Sequence, residues 1–312
     1  MPVRLRRAWY RGMAQGAVHM MVYRQGEAGF IAPGSSQHGA ILTASKVASV
    51  LGLSRFQSTY TLWHSMRGNM PTAPGGSDQD IFRVGHAFEY ALAELWRLEN
   101  PGWKLSKGEV QYIRDDFGFP AMATIDRRAT RGRARRVVEF KTARDLSAWG
   151  DPTLDGDCPI DFSAQVTFQM MVTGHIDHPA ALSVMGPFFA HYTYQMPFDQ
   201  KVANWIMREC QSFWNSLQTG VEPELDESVS TYECVKSQHP NITAGYEVPL
   251  PERLALDLQQ AVAASKEAET HARGLKSKVL DLMGDAQHGT VNGEKVVTRR
   301  PGARGSVSLI VR

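Results

Sequence analysis

The chain has 312 residues, 43% of them hydrophobic and 21% charged, and a net charge of +2. This is the composition of an ordinary globular protein with one large domain or two modest ones. It lacks a basic coat, so any track for nucleic acid must be local, and no apolar run approaches the roughly 18–20 residues that span a bilayer. The cysteines Cys158, Cys210 and Cys234 are too few for a four-thiolate cluster and too widely spaced for a zinc or disulfide framework. The Arg-rich N-terminus carries no apolar export segment, so a cytoplasmic protein with no membrane partner is expected.

In chain order, residues 1–40 read as a loosely ordered lead with a Gly34-Ser35-Ser36 cluster. A short helix is expected over 43–52, capped by Thr43 or Ser45 and stopped by Gly52, and another over 59–66. Residues 71–77 form a Pro- and Gly-rich loop. Asp78 then caps a long helix to Glu99, with Ile81, Val84, Phe88, Leu92 and Leu95 as its buried stripe. Strands follow at 109–114, 121–129 and 135–142, then an Asp- and Pro-rich loop over 145–160 and a helix over 161–173 ended by Gly174. Two strands, 180–186 and 188–196, turn tightly at Pro187 and lead into a helix over 198–219. This order gives an α/β fold with a mixed sheet flanked by helices. A core over 41–220 is followed by an extension, 221–312. The extension has a polar, Ala-rich helical stretch over 252–283, interrupted at Gly274, and a hairpin turning at Asn292-Gly293.

The chemistry concentrates in Val137-Val138-Glu139-Phe140-Lys141. Strand side chains alternate, so Glu139 and Lys141 share one face while Val138 and Phe140 take the other. A buried carboxylate beside an ammonium costs desolvation energy that a core does not need. A metal site can use both groups: the carboxylate to hold a hard cation, the lysine to orient or deprotonate a water. A half-solvated strand would also carry Glu and Lys. Asp126 on the neighbouring strand can converge on Glu139, or it can be an edge acid paired with Arg127 or Arg128. Glu89 lies at the margin of the long helix's apolar stripe, either as a third ligand or as a solvated residue. Gln165 and Gln169 share a helix face, where an amide can bond a phosphate without repelling it, or can simply face water.

These pieces in this order resemble PD-(D/E)XK nucleases of the RecB-like branch. The sequence Ala164-Gln165-Val166-Thr167-Phe168-Gln169-Met170-Met171-Val172-Thr173-Gly174 resembles more closely the YqaJ-like viral recombinases and lambda-exonuclease-type enzymes. Leu42-Thr43-Ala44-Ser45-Lys46-Val47 is similar to that group's opening helix, and the resemblance runs from Ile41 to Gly220. It implies a restriction-endonuclease-like core. Glu89, Asp126, Glu139 and the Phe140 carbonyl would ligate Mg²⁺ or Mn²⁺, Lys141 would act on the water, and Gln165 would support it. Ser45 matches a position that holds a 5′-phosphate.

Two positions depart from the pattern. Ile125 stands where a proline often precedes the aspartate, and His38 stands where an arginine would meet the phosphate. Arg55 is a candidate replacement for that arginine. The implied activity is 5′→3′ exonuclease action on linear double-stranded DNA ends in phage-type recombination. It would leave 3′ single strands for an annealing protein, with a ring-shaped homo-oligomer as the assembly. A RecB-like nuclease of different polarity, or a non-catalytic DNA-end-binding protein on the same fold, is the alternative. The extension beyond 221 would pack on the core, mediate oligomer contacts or meet a partner.

Overall fold

The computed structural model of the chain describes residues 20–70, 78–302 and 306–311. Most of the lead, the 71–77 loop and the side chain of Ile81 lie outside the described residues. Two compact units are present, the first running to Asn241 and the second spanning Ile242–Arg312.

The first unit is built on two mixed sheets. One has the strand order β1 (Met20–Arg24), β4 (Val110–Arg114), β5 (Ala121–Ile125), β2 (Leu42–Thr43). The other has the order β3 (Lys104–Leu105), β6 (Arg127–Arg131), β7 (Ala134–Thr142), β8 (Ala180–Met185), β9 (His191–Met196). β7 and β8 are parallel, and β6 and β9 run antiparallel on either side of them. β8 is buried along its whole length, as expected for a strand covered on both faces.

The helices of this unit are α1 (Ser36–Gly39), α2 (Ala44–Val50), α3 (Thr59–Met66), α4 (Asp78–Glu99), α5 (Ile160–Thr173), α6 (Gln200–Thr219) and α7 (Val229–Gln238). α4 and α5 lie on opposite faces of the second sheet, and the alternation of β7 divides its side chains between them. Val138 and Phe140 join Leu92, Ala93 and Trp96 of α4 in one core cluster. Val137 joins Ala164, Phe168 and Val172 of α5 in the larger one. Gly174 ends α5 at φ 68°, a left-handed position that a glycine adopts at no steric cost. The fold is thus the expected mixed α/β arrangement of sheets flanked by helices.

Several elements differ from the expectation, each for a packing reason. The strand expected over 121–129 is two strands in different sheets, broken at Asp126. Residues 20–24 pair antiparallel with β4, so the described part of the lead is tied into a sheet. Of the expected α4 stripe, Leu92 is buried and Phe88 and Leu95 pack against it, together with Ala93 and Trp96, whereas Val84 is exposed. α7 packs on α3 through Ser230 and Thr231, whose hydroxyls bond Thr61 and Ser58, so the first unit continues past 220. In the second unit, α8 (Glu252–Met283) runs unbroken through Gly274. It is followed by an antiparallel sheet of β10 (His288–Val291), β11 (Glu294–Pro301) and β12 (Val307–Val311). Asn292 at φ 51° and Gly293 at φ 85° make the expected hairpin turn.

Candidate active site

The second sheet places Glu139 inward, towards α5, and leaves it only 3% exposed. A bare carboxylate at that depth would be costly, and three donors satisfy it. Lys141 Nζ and Gln165 Nε2 each reach Oε1 at 2.6 Å, and Gln169 Nε2 reaches Oε2 at 2.7 Å. The i,i+4 glutamines of α5 are therefore part of the site, not a solvated face. Gln169 is fully buried, and its Oε1 has no hydrogen-bond partner among the described residues.

Asp126 occupies the break where the chain leaves the first sheet and enters the second. Its Oδ2 accepts the backbone N–H of Phe140 at 2.6 Å, which brings it against the Glu139–Lys141 segment. Burial, and then the charge of Glu139, push the Asp126 carboxyl well above its ordinary range; Lys141 and the Phe140 N–H offset only part of this. Burial alone would lower Lys141. Glu139, Asp126 and Glu89 outweigh it, and the amine stands above its ordinary value. Lys141 is therefore held as an ammonium by these carboxylates, able to donate and orient.

Glu89, on α4, adds to the negative field felt by Asp126 and Lys141, while its carboxylate bonds His86 Nδ1 at 3.1 Å. Phe140 contributes its N–H to Asp126 and its ring to the α4-side core. Glu109 is a carboxylate that sequence reasoning missed. It precedes Val110, which is in register with Ile125, so it comes level with Asp126. Burial, followed by Glu89, pushes its carboxyl up. An acid at the head of the strand adjoining the Asp126 strand was the available signal.

Among the described residues no group of three His, Cys, Asp or Glu side chains is arranged to hold a metal ion. Two converging carboxylates nevertheless suit Mg²⁺, which keeps several waters and takes one or two carboxylates from the protein. The donor chemistry here is oxygen only. The two central carboxylates carry one more charge than Lys141 offsets, and Gln169 Oε1 is a spare acceptor. A hard divalent cation therefore fits this cluster.

The residues expected at a 5′-phosphate each make contacts of their own. Arg55 Nη2 bonds Asp161 at 3.1 Å, and its guanidinium lies 5.9 Å from the Phe162 ring. Lys141 Nζ lies 5.3 Å from the same ring, so Phe162 links Arg55 to the carboxylate cluster. Ser45 Oγ is bonded to Thr43 Oγ1 at 2.9 Å. His38 belongs to a segment fastened by Lys46, whose ammonium donates to the carbonyls of His38, Gly39 and Ile41 at 2.6–2.9 Å. Burial brings Lys46 down to about 8, which leaves it charged at neutral pH. Burial and the Lys46 charge lower His38, which is therefore neutral at pH 7. Among the described residues, no hydrogen bond joins His38 or Ser45 to the Glu139 cluster.

Residues 35–176 match the family model of the YqaJ-like viral recombinase domain. The uncharacterized protein YqaJ of Bacillus subtilis (strain 168) is 22% identical over 253 residues, covering 79% of this chain and 76% of its own length. Among solved structures, LHK-Exo in complex with dAMP superposes with a TM-score of 0.43 at 14% identity, covering 59% of this chain and 91% of that one. No helix among the described residues is long and apolar enough to cross a membrane.

Proposed function

We propose, from the match of residues 35–176 to the model of the YqaJ-like viral recombinase domain, that the protein is a Mg²⁺- or Mn²⁺-dependent 5′→3′ exonuclease. Its substrate is linear double-stranded DNA in phage-type homologous recombination, and its product is a 3′ single strand for an annealing protein. The observation that carries this reading is the convergence of Asp126 with Glu139 and Lys141 against the two α5 glutamines. A structural ion pair explains Glu139 and Lys141 alone. It does not explain why a second carboxylate, Asp126, is buried beside them at an electrostatic cost.

Asp126 and Glu139 would hold the cation, with Glu89 and the Phe140 carbonyl as further donors. When bound, the cation supplies Lewis-acid charge at the scissile phosphate. Lys141 donates to the attacking water or to a phosphate oxygen and holds it in line. Gln165 and Gln169 fix the Glu139 carboxylate, so it points one way before substrate arrives. Arg55, Ser45 and the His38 segment would meet the 5′ end, where contacts to phosphate position the strand without reading its sequence.

The experiment is digestion of duplexes labelled at one end. Release of the 5′ label first is expected, and release of the 3′ label first, or equal cutting of closed circles, contradicts the polarity. Because His38 is held below its ordinary pKa, a preference for a 5′-phosphate that rests on its charge should rise only at a pH lower than that at which an ordinary histidine titrates. A preference that His38→Ala leaves unchanged at every pH would remove His38 from the phosphate site.

A further inference from the structure

The tip of the β8–β9 hairpin carries a feature that the proposed chemistry leaves unused. Its turn, Pro187–Phe189, is closed by the Gly186 N–H, which donates to the Ala190 carbonyl at 2.8 Å. Phe188 and Phe189 both sit at positive φ, 56° and 62°. Glycine, asparagine or aspartate takes that conformation readily, whereas a bulky ring there is a steric outlier. The two residues are also 99% and 78% exposed, so nothing in the first unit covers them. Neither burial nor backbone preference accounts for two phenylalanines at this turn.

The turn lies at the Lys141 end of the second sheet. In the parallel β7–β8 pair, Lys141 is level with Val184 and Thr142 with Met185. Ala143 then donates its N–H to the Met185 carbonyl at 2.9 Å, and the Leu146 side chain fills the space that a side chain on Gly186 would need. Phe188 is four residues past the level of Lys141, about 13 Å at the rise of a strand. Arg144, exposed on the segment leaving β7, pairs with no carboxylate among the described residues, and its neighbour Asp145 bonds Ser147. Exposed rings beside an unpaired cation suit single-stranded nucleic acid, with bases on the rings and phosphate on the cation. On the nuclease reading of this site, we propose that Phe188 and Phe189 stack unpaired bases of the strand being cut, with Arg144 on its backbone. The depth of the site calls for such bases. Glu139 is 3% exposed and the Lys141 side chain 23%, so only a strand parted from its partner can bring a phosphate down to them. A base that leaves the duplex loses its stacking neighbours, and the two rings replace them.

The test uses the full-length protein in Ca²⁺ and a duplex frayed at both ends by a few mismatches, with a fluorescent adenine analogue among the unpaired bases. Stacking on an aromatic ring quenches that base, so wild type should quench it. Phe188→Leu combined with Phe189→Leu should abolish the quenching and weaken binding about tenfold, while Phe188→Tyr combined with Phe189→Tyr should keep both. Leucine retains apolar bulk, so a contact that needs only bulk would survive it. Binding to a closed circular duplex, which offers no frayed end, should be the same for all three proteins. Leucine variants that quench and bind like wild type overturn the proposal. So does a fall in their melting temperature without DNA that the tyrosine variants do not share, because another part of the chain would then cover the rings. Quenching by a wild-type protein that digests no DNA in Mg²⁺ would sink the nuclease reading and leave the stacking site standing. Digestion without quenching would overturn the stacking site alone, and the absence of both would overturn both.

Discussion

Lys141→Ala is expected to lower the rate of duplex digestion by about 10²–10⁴-fold, the usual cost of losing a positioned proton donor. Its Nζ lies 2.6 Å from Glu139 Oε1 and is kept charged by Glu139 and Asp126, and alanine removes that ammonium. The fold should survive, because Gln165 and Gln169 still hold Glu139. Glu139→Gln should behave differently. Both carboxylate oxygens accept from donors, and an amide would turn its own NH₂ towards one of them. Lys141 would also lose its counter-charge. This variant should lose activity and about 3–5 kcal/mol of stability. Single-turnover digestion together with urea denaturation separates the two. A Lys141→Ala protein that digests DNA like wild type would remove the lysine from the chemistry.

The second large effect runs in opposite directions for activity and stability. Asp126→Asn should abolish cleavage and raise the melting temperature without added metal. The carboxylate is held well above its ordinary pKa by burial and by Glu139, so its charge opposes folding at neutral pH. Asparagine keeps an oxygen to accept the Phe140 N–H and removes that repulsion. The sign follows from linkage. A carboxyl whose folded pKa is raised is more stable protonated, so the wild-type penalty is relieved as pH falls through the folded pKa and is absent in the amide. Wild type should regain stability on adding Mg²⁺, because a ligand that binds only the folded state stabilises it. Asp126→Asn should not respond. Thermal unfolding with and without Mg²⁺ tests both halves, and a less stable Asp126→Asn protein that still responds to Mg²⁺ would sink the assignment.

Much of this site was legible in the sequence because strand alternation is a strong rule. It placed Glu139 and Lys141 on one face and Val138 and Phe140 on the other, and the structure has them so. Helical i,i+4 spacing likewise put Gln165 and Gln169 together. Their common target across the layer is a tertiary fact that spacing alone could not choose over solvent. The break at Asp126 was hidden for a similar reason. Residues 121–131 have no Gly or Pro before Gly132 to mark a change of sheet, and only the pairing partners reveal it. The α4 stripe holds at Phe88, Leu92 and Leu95 and fails at Val84, because apolar spacing alone cannot show which turns of a helix the core covers. Propensity alone predicts a break at Gly274, whereas the helix runs through it.

On the proposed function, a hard cation held at Asp126 and Glu139 is needed to hydrolyse DNA from its ends. The most direct measurement incubates the purified full-length protein with linear duplex in Mg²⁺, in Ca²⁺ and in EDTA, with Lys141→Ala alongside. Digestion is expected in Mg²⁺ only, with none in EDTA, binding without turnover in Ca²⁺, and none by the variant. Digestion that persists in EDTA, or no digestion by the wild-type protein in Mg²⁺ or Mn²⁺, would contradict it.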